Sequence, residues 1–379
     1  MKYLRKIIGV LFLLFILVGC AKEEPAYIEV TVDDSTFENK FYYSLLTEEE
    51  QLTYREVYQG MVNHEAEICV HGDDPDEVNA LIDSILYDFA ELFWVDGSAE
   101  STTYEDSSYT EIYTVVKPTY VYDVEERKVR ETEISNVISK VIQNIPADSD
   151  EYGKIKYVYD YLVDSVEYVE GAPDNQNVYS SLVLKKTVCA GYAKATQYLL
   201  NEMGIYCIYV IGESTDEEGT DSHAWNIVKC GGEYYYVDVT WADPIVEEEH
   251  ADSPSSPIYD YLCCSIYEIE DTHTQDKEFI YPECISEDWN YYRMHQMYYE
   301  AIDKNQLLET MKKSIDNHEN YTTFKFSDDI FTEGRDLIIN DLSGTAAEYL
   351  CEEYDLRQVQ YFYEEDASVN RVTIYWKYE

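Results

Sequence analysis

The chain has 379 residues, of which 27 are Lys or Arg and 77 are Asp or Glu, so its formal net charge at pH 7 is −50. This acidic balance argues against nucleic acid and anionic lipid headgroups as partners. Hydrophobic residues make up 45% of the chain and 40 residues are tyrosines, which indicates packed cores rather than disorder. Because the acidic residues are spread along the whole chain, we interpret them as a solubilising surface.

The first twenty residues, MKYLRKIIGVLFLLFILVGC, have the layout of a secretory signal, in which three basic residues precede an apolar run over 7–18. The run is too short for a comfortable membrane span. It ends in LVGC, which resembles the lipobox of bacterial lipoproteins. The resemblance implies that residues 1–19 are removed as a signal peptide and that Cys20 carries lipid. We therefore expect a lipid-anchored protein on the extracytoplasmic face of the cell membrane.

The next elements predict an N-terminal α+β domain over 27–130, after a lipidated tether over 20–26. YIEVTV begins with strand alternation, and TEEEQLTYREVYQGMVN predicts a helix with Thr47 as N-cap and Glu50 at its third helical position. DPDEVNALIDSILYDFAELFWV predicts a second helix. Residues 109–122 alternate as one or two strands around a proline.

Two further helices, in ETEISNVISKVIQNIP and DEYGKIKYVYDYLVDSVEYV, open the region over 131–287 that we interpret as the catalytic domain. The remaining residues, 288–379, predict a C-terminal α+β region with a helix near Trp289–Ser314. Neither terminal region carries a motif that indicates a function.

One cysteine stands where a loop runs into a helix, in KKTVCAGYAKATQYLLNEMGI. From Cys189 onward, apolar residues recur at helical spacing, and Gly204 is a natural C-cap. At a helix N-terminus the dipole and the unpaired amides favour a thiolate, and the same amides can receive an oxyanion in acyl transfer. On this segment alone, a buried structural cysteine explains the pattern equally well.

A predicted hairpin follows in DSHAWNIVKCGGEYYYVDVTWADP. If it is centred between Cys230 and Gly231, His223 lies opposite Asp238 on the same face of the sheet. That carboxylate would fix the tautomer of the imidazole while the other ring nitrogen reaches a thiol. Asp243 would lie beyond the hairpin, where we expect a turn residue.

The cysteine at a helix start, followed by HAWN and VDVTWADP, resembles the bacterial transglutaminase-like branch of the papain-like cysteine enzymes over Tyr152–Pro244. The motifs are specific in combination. The resemblance implies an α+β fold in which a helix carrying Cys189 packs on an antiparallel sheet carrying His223 and Asp238. It makes Cys189 the nucleophile, His223 the general base and acid, and Asp238 the orienting carboxylate. THTQD at 272–276 resembles the downstream part of such proteins, without an assigned role.

The side chain that would assist the oxyanion is less well indicated. Papain-like proteases use a glutamine shortly before the nucleophile, whereas Gln176 lies 13 residues upstream of Cys189. The backbone N–H of Cys189 is the safer donor. Tyr179 is a weak candidate for a side-chain helper, and core packing is the more natural role for it.

Eight cysteines remain beside Cys20, at irregular spacings that require no disulfide framework. Cys207 and Cys230 lie in strand-like runs and are expected to be buried, whereas the redox state of Cys263 and Cys264 stays open. No CxxC or HxxxH spacing indicates zinc, so we expect no metal and no cofactor.

The function predicted from these features is acyl transfer on amide bonds by a surface-anchored cysteine enzyme. Water as the acyl acceptor gives a protease or amidase, and an amine gives a transglutaminase; both use the same triad. The expected substrate is protein or peptide, with cell-wall peptide among the candidates, and hydrolysis is the preferred direction. The alternative is a catalytically idle domain that binds peptide or glycan at the cell surface.

Overall fold

The computed structural model describes residues 26–105, 112–216, 219–242 and 258–378. The predicted α+β class is confirmed, because helices pack against several sheets. The α-helices are α1 (Phe41–Ser44), α2 (Glu48–Asn63), α3 (Pro75–Asp88), α4 (Val124–Gln143), α5 (Glu151–Ser165), α6 (Cys189–Glu202), α7 (Ile266–Ile269), α8 (Tyr291–Met294), α9 (Lys304–Asp316), α10 (Phe331–Leu337) and α11 (Ser343–Glu353). The strands are β1 (Ile68–His71), β2 (Val95–Glu105), β3 (Ile112–Tyr120), β4 (Glu167–Tyr168), β5 (Lys186–Thr187), β6 (Cys207–Thr215), β7 (Thr220–Cys230), β8 (Glu233–Val237), β9 (Leu262–Cys264), β10 (His273–Gln275), β11 (Tyr298–Tyr299), β12 (Tyr321–Phe326), β13 (Gln360–Asp366) and β14 (Arg371–Lys377).

The start of α2 confirms the predicted cap. The Thr47 hydroxyl accepts the amide of Glu50 and the Glu50 carboxylate accepts the amide of Thr47, which is a capping box. The second predicted helix is shorter than expected, since α3 ends at Asp88. The buried carboxylate of Asp88 accepts the amides of Tyr42 and Tyr43, and thereby ties the end of α3 to α1.

The strand predicted in YIEVTV is not formed, so that prediction is wrong. The Gln59 side-chain oxygen accepts the amides of Thr31 and Val32, which a sheet neighbour would otherwise bind. The N-terminal sheet instead has the order β1-β3-β2 and is antiparallel. Residues 130 and 131, between which the sequence divides the N-terminal from the catalytic region, both lie within α4.

The sheet that positions the site is five-stranded and antiparallel, in the order β10-β6-β7-β8-β9. Helix α6 packs on β6 and β7, where Ala193 meets Tyr209 and Ala224. The Asn226 side chain fixes this packing, because its Nδ2 donates to the carbonyls of Ala193 and Ile208. A cysteine-bearing helix on an antiparallel sheet is the core arrangement expected from the sequence.

The C-terminal part forms its own sheet, in the order β11-β12-β14-β13, and its own apolar cluster. The single helix predicted near Trp289–Ser314 is wrong: α8 and α9 are separate, with β11 between them. Asp303 is the N-cap of α9, and its side chain accepts the amides of Asn305 and Gln306. Within the described ranges, no helix is long and apolar enough to cross a membrane.

Candidate active site

Cys189 is the first residue of α6 and its side chain is half-buried. The helix has no side-chain cap, and its first amides that bond to backbone are those of Gly191 and Tyr192, which both donate to Val188 O. In the described part of the chain the amides of Cys189 and Ala190 have no backbone acceptor. Free amides at a helix N-terminus can stabilise a thiolate or an oxyanion.

The segment before Cys189 is held by a small hydrogen-bond network. The Thr187 hydroxyl donates to Asn175 O at 2.8 Å and lies 2.8 Å from the Ser180 hydroxyl, and the Val188 amide donates to Asn175 O. Gly191 makes this approach possible, because a Cβ there would lie 1.8 Å from the Thr187 hydroxyl oxygen. The glycine of the CAGY motif thus sets the position of the Cys189 backbone.

The register of the β7–β8 hairpin differs from the prediction. Cys230 pairs with Glu233 and Asn226 with Val237, so the turn is centred between Gly231 and Gly232 and not one residue earlier. Both glycines have positive φ, +60° and +93°, which suits a two-residue turn. The correction moves each partner by two residues, and since side chains alternate with period two, it leaves every side chain on its predicted face.

Asp238 directly follows β8 and reaches His223 diagonally. Its Oδ2 lies 2.6 Å from His223 Nε2, and both side chains are buried. Its Oδ1 accepts the amides of Thr240 at 2.8 Å and Trp241 at 3.3 Å, so the carboxylate is also bound to the turn that follows the strand. Burial would raise the pKa of Asp238, but His223 and His273 hold it below its ordinary value.

The thiol of Cys189 forms a hydrogen bond with the imidazole of His223 and affects its pKa. Burial lowers the pKa of His223, yet the charge and hydrogen bond of Asp238, together with a hydrogen bond to Cys189, raise it to about 10. Because Nε2 is bound to Asp238, Nδ1 is the ring nitrogen that remains for the thiol. The structure therefore brings the three sequence-predicted residues into one connected set, with His223 between the other two.

A second histidine joins this set, which the sequence analysis did not find. His273 Nε2 lies 3.1 Å from Asp238 Oδ2, and its ring is 4% exposed. It belongs to the THTQD segment, whose resemblance to related proteins was the only signal for it. Aromatic rings lie against both imidazoles. The Trp225 ring stacks on His223 with 5.7 Å between the ring centroids, and the centroids of Trp241 and His273 are 4.8 Å apart.

The donor atoms of His223, Asp238 and His273 lie within 4.8 Å of one another, as in sites that can hold a metal ion. However, the contacts of 2.6 Å and 3.1 Å from the two imidazoles to one carboxylate oxygen are hydrogen-bond distances. These hydrogen bonds occupy the two Nε2 atoms and the Asp238 Oδ2 atom that would have to coordinate a metal ion. We therefore describe the cluster as a hydrogen-bond network.

Tyr179 and Gln176, the two side chains weighed for the oxyanion, have other surroundings. The Tyr179 hydroxyl donates to Glu133 at 2.8 Å, and its ring packs against Phe93 and beneath the Arg130 guanidinium. These contacts fit the packing role. Gln176 lines a cavity of about 210 Å³ beside α3 and α6.

Two other tyrosines interact with Cys189, and neither was predicted from the sequence. Burial raises the pKa of Tyr209, and the charge of Cys189 raises it further. Partial burial raises the pKa of Tyr168 on β4, and the charge of Cys189 raises it further, although the residue is 45% exposed. Tyr168 thus offers an accessible aromatic ring near the thiol.

Four predicted features lie outside the described residues: the signal peptide over 1–19, the lipidated Cys20, residues 21–25 of the tether, and the turn residue Asp243. The eight cysteines of the described ranges are all free thiols. Cys207 and Cys230 are buried, as predicted, and so are the adjacent Cys263 and Cys264.

Known proteins resemble the central part of this chain. Residues 139–239 match the model of the Transglutaminase-like superfamily core. Kyphoscoliosis peptidase of Mus musculus is 27% identical over 127 residues, which cover 30% of this chain and 19% of that protein. The chain therefore spans about a fifth of the length of this curated relative.

Solved structures with similar segments include a candidate cysteine protease from Cytophaga hutchinsonii, with a TM-score of 0.27 and 18% identity over 40% of this chain and 65% of that one. A TGase matches with a TM-score of 0.27 and 14% identity, over 52% of this chain and 54% of the other. Menin matches with a TM-score of 0.23 and 16% identity, over 61% of this chain and 56% of menin.

Proposed function

We propose that this protein is a cysteine acyl-transfer enzyme acting on amide bonds of protein or peptide substrates, because residues 139–239 match the model of the Transglutaminase-like superfamily core. Cys189 is the nucleophile, His223 the general base and acid, and Asp238 the orienting carboxylate. The observation that carries the proposal is the buried 2.6 Å contact between His223 and Asp238, on an imidazole that also interacts with the thiol.

The proposed reaction begins with attack of Cys189 Sγ on the carbonyl carbon of an amide. The thiolate attacks while its proton is held on His223 Nδ1, and the carbonyl oxygen becomes an oxyanion facing the amides of Cys189 and Ala190. When the tetrahedral intermediate collapses, the C–N bond breaks and His223 protonates the leaving amine. The products of this half-reaction are a thioester on Cys189 and a free amine.

The second half-reaction depends on the acyl acceptor. Attack by water on the thioester gives hydrolysis and a free carboxylate, whereas attack by an amine gives a new amide and therefore transamidation. In both cases His223 removes the proton of the acceptor and returns it to the thiolate. We favour hydrolysis of extracellular protein or of cell-wall peptides, because the proposed lipid anchor would present the domain to such substrates.

A thioester-trapping screen tests this proposal. The protein lacking residues 1–20 is incubated with casein, cell-wall peptides and a labelled primary amine, and products are followed by mass spectrometry. We expect a covalent acyl adduct on Cys189, which is lost in Cys189→Ala and retained in the control Cys351→Ala, another half-buried thiol. Amine incorporation without cleavage would reverse the preferred direction. A Cys189 that forms no adduct and is inert to iodoacetamide at pH 6 would favour the idle binding domain instead.

The cellular location is also a proposal, and it rests on the LVGC segment alone. We expect Cys20→Ala to release the protein into the medium, because the acyl chains would be its only anchor. Retention of this variant in the membrane fraction, with the signal cleaved, would contradict the assignment.

A further inference from the structure

His273 is a buried imidazole with a partner on each ring nitrogen. Nε2 lies 3.1 Å from Asp238 Oδ2, and Nδ1 lies 2.8 Å from the Thr272 hydroxyl, which itself is 3.2 Å from Ile269 O. A buried ring that is satisfied on both sides has one orientation. Its proposed catalytic counterpart, His223, binds the same carboxylate oxygen.

The sheet explains how His273 reaches this position. Strand β10 pairs with β6 so that Gln275 lies opposite Gly212, and Gly212 in turn lies opposite His223 on β7. A Cβ on Gly212 would lie 2.2 Å from Thr274 O and 2.7 Å from the Trp225 ring. The glycine therefore allows β10 and the Trp225 indole to approach each other beside the His223 position.

Two tyrosines among the described residues also sense the charge of Asp238. Tyr159 on α5 and Tyr261 before β9 both sense its charge, and burial raises the pKa of each hydroxyl, so both stay neutral. Cys189 on α6 acts on His223 from the other side. Among the described residues, the two imidazoles thus have the main effect that lowers the pKa of the Asp238 carboxyl.

We propose that His273 is a positioning residue of the active site: its Nε2–H holds the Asp238 carboxylate and takes part of its negative charge away from His223. The inference rests on the proposed roles of Cys189 and His223. The site is then a chain of four side chains, in which Asp238 serves two imidazoles and not one. A hydrogen bond to a carboxylate stabilises its charged form, so the second donor weakens the hold of Asp238 on the His223 proton.

The test uses the full chain and the rate at which iodoacetamide alkylates Cys189 as a function of pH. Because eight thiols are free, the reaction is followed on the Cys189 peptide by mass spectrometry, with Cys351 as the internal control. In His273→Phe the alkaline inflection of the profile, where His223 loses its proton, should move up by about half a pH unit or more. His273→Gln keeps a donor for Asp238 and should stay close to the parent protein.

Three results would overturn the proposal: no shift in a folded His273→Phe variant, an equal shift in His273→Gln, or the same shift at Cys351. Thr272→Val covers the case in which His273→Phe does not fold, because it leaves the imidazole in place and removes its Nδ1 partner. A shift in the same direction supports the proposal, and a profile identical to the parent contradicts it. Alkylation needs no amide substrate, so this test is independent of whether turnover is found.

Discussion

Asp238 combines two tasks in one side chain. One oxygen accepts the amides of Thr240 and Trp241, and the other lies within hydrogen-bonding distance of two imidazoles. A carboxylate with donors on both oxygens has little freedom to rotate, so its position is already fixed before a substrate binds. The turn after β8 is therefore part of the geometry of the site.

Replacing Asp238 by Asn should preserve the fold and lower the rate of acyl transfer by on the order of 10²–10⁴, because the orienting charge is lost. Single-turnover kinetics with the substrate found in the trapping screen would measure this effect. Asp243→Asn is the control, since we expect that aspartate to affect only the local turn. A rate that falls with Asp243→Asn and survives Asp238→Asn would show that the wrong aspartate has been chosen.

The same variant should change how stability depends on pH. The raised pKa of His223, about 10, means that its stabilising effect is full below its unfolded value of about 6.5 and is lost as the pH rises through 10. The lowered pKa of Asp238 means that its effect is present above about 4 and is lost in stronger acid. The difference in unfolding free energy between parent and Asp238→Asn should be greatest at about pH 4–6.5, as urea titrations would reveal.

The three predicted site residues were recognisable because each stands in a motif whose spacing fits a local element. Cys189 follows a loop and begins a helix, and His223 and Asp238 belong to one hairpin. His273 could not be placed in this way, because its contact with Asp238 depends on β10 pairing with β6, two segments separated by β7, β8 and β9 along the chain. Local periodicity contains no information on such a pairing.

At the scale of elements, the predictions that held are those whose hydrogen-bond partners lie close together in the sequence. The capping box of α2 was readable because both its partners lie within three residues. The strand expected over 27–32 does not form because Gln59, from the distant helix α2, binds the amides of Thr31 and Val32. The predicted centre of the hairpin turn was wrong by one residue. Each residue therefore has a partner two positions away from the predicted one, and because a two-residue change keeps each side chain on the same face of the sheet, His223 and Asp238 still lie on one face.

Gly191→Ala tests how closely the start of α6 must be placed. The added Cβ would overlap the Thr187 hydroxyl, so the first turn must move away from Asn175. We expect alkylation of Cys189 at neutral pH and acyl transfer to fall by on the order of 10²-fold, since small displacements of a reacting group have effects of this size. Gly344→Ala in α11 is the matched control, because its Cβ would meet no atom within 4 Å. Equal behaviour of the two variants would contradict the role given to Gly191.

At the scale of the whole molecule, a buried cluster of charges joins the five-stranded sheet β10-β6-β7-β8-β9 to the C-terminal sheet. Asp260, which is 1% exposed, forms ion pairs with Lys325 on β12 and, at 2.8 Å, with Arg371 on β14. The Tyr292 hydroxyl donates to the same carboxylate. Burial would raise the pKa of Asp260, but the two cations hold it below its ordinary value.

Asp260→Asn should lower the free energy of unfolding by about 3–5 kcal/mol, because it removes the buried carboxylate that Lys325 and Arg371 share and leaves Arg371 only its longer contacts with Glu364 and Asp366, both at 3.6 Å. The loss should be present above the ordinary carboxyl pKa of about 4 and shrink as the pH falls, since protonation removes the same charge from the parent protein. Urea unfolding at several pH values measures both. Lys304→Ala breaks the exposed pair with Asp341 and should cost less than about 1 kcal/mol. A similar loss of unfolding free energy in both variants would show that the buried cluster stabilises the fold no more than an exposed ion pair does.

The shared cluster also constrains the order in which the chain can fold during synthesis. Asp260 emerges from the ribosome long before Lys325 and Arg371, so until then its carboxylate has to stay hydrated. We therefore expect the segment around Asp260 to close onto the five-stranded sheet only after β14 has been made, which would delay assembly of the candidate active site until then. Pulse proteolysis would expose the delay: a chain that stops at residue 320 should be cut near Asp260, and the full chain should be protected there.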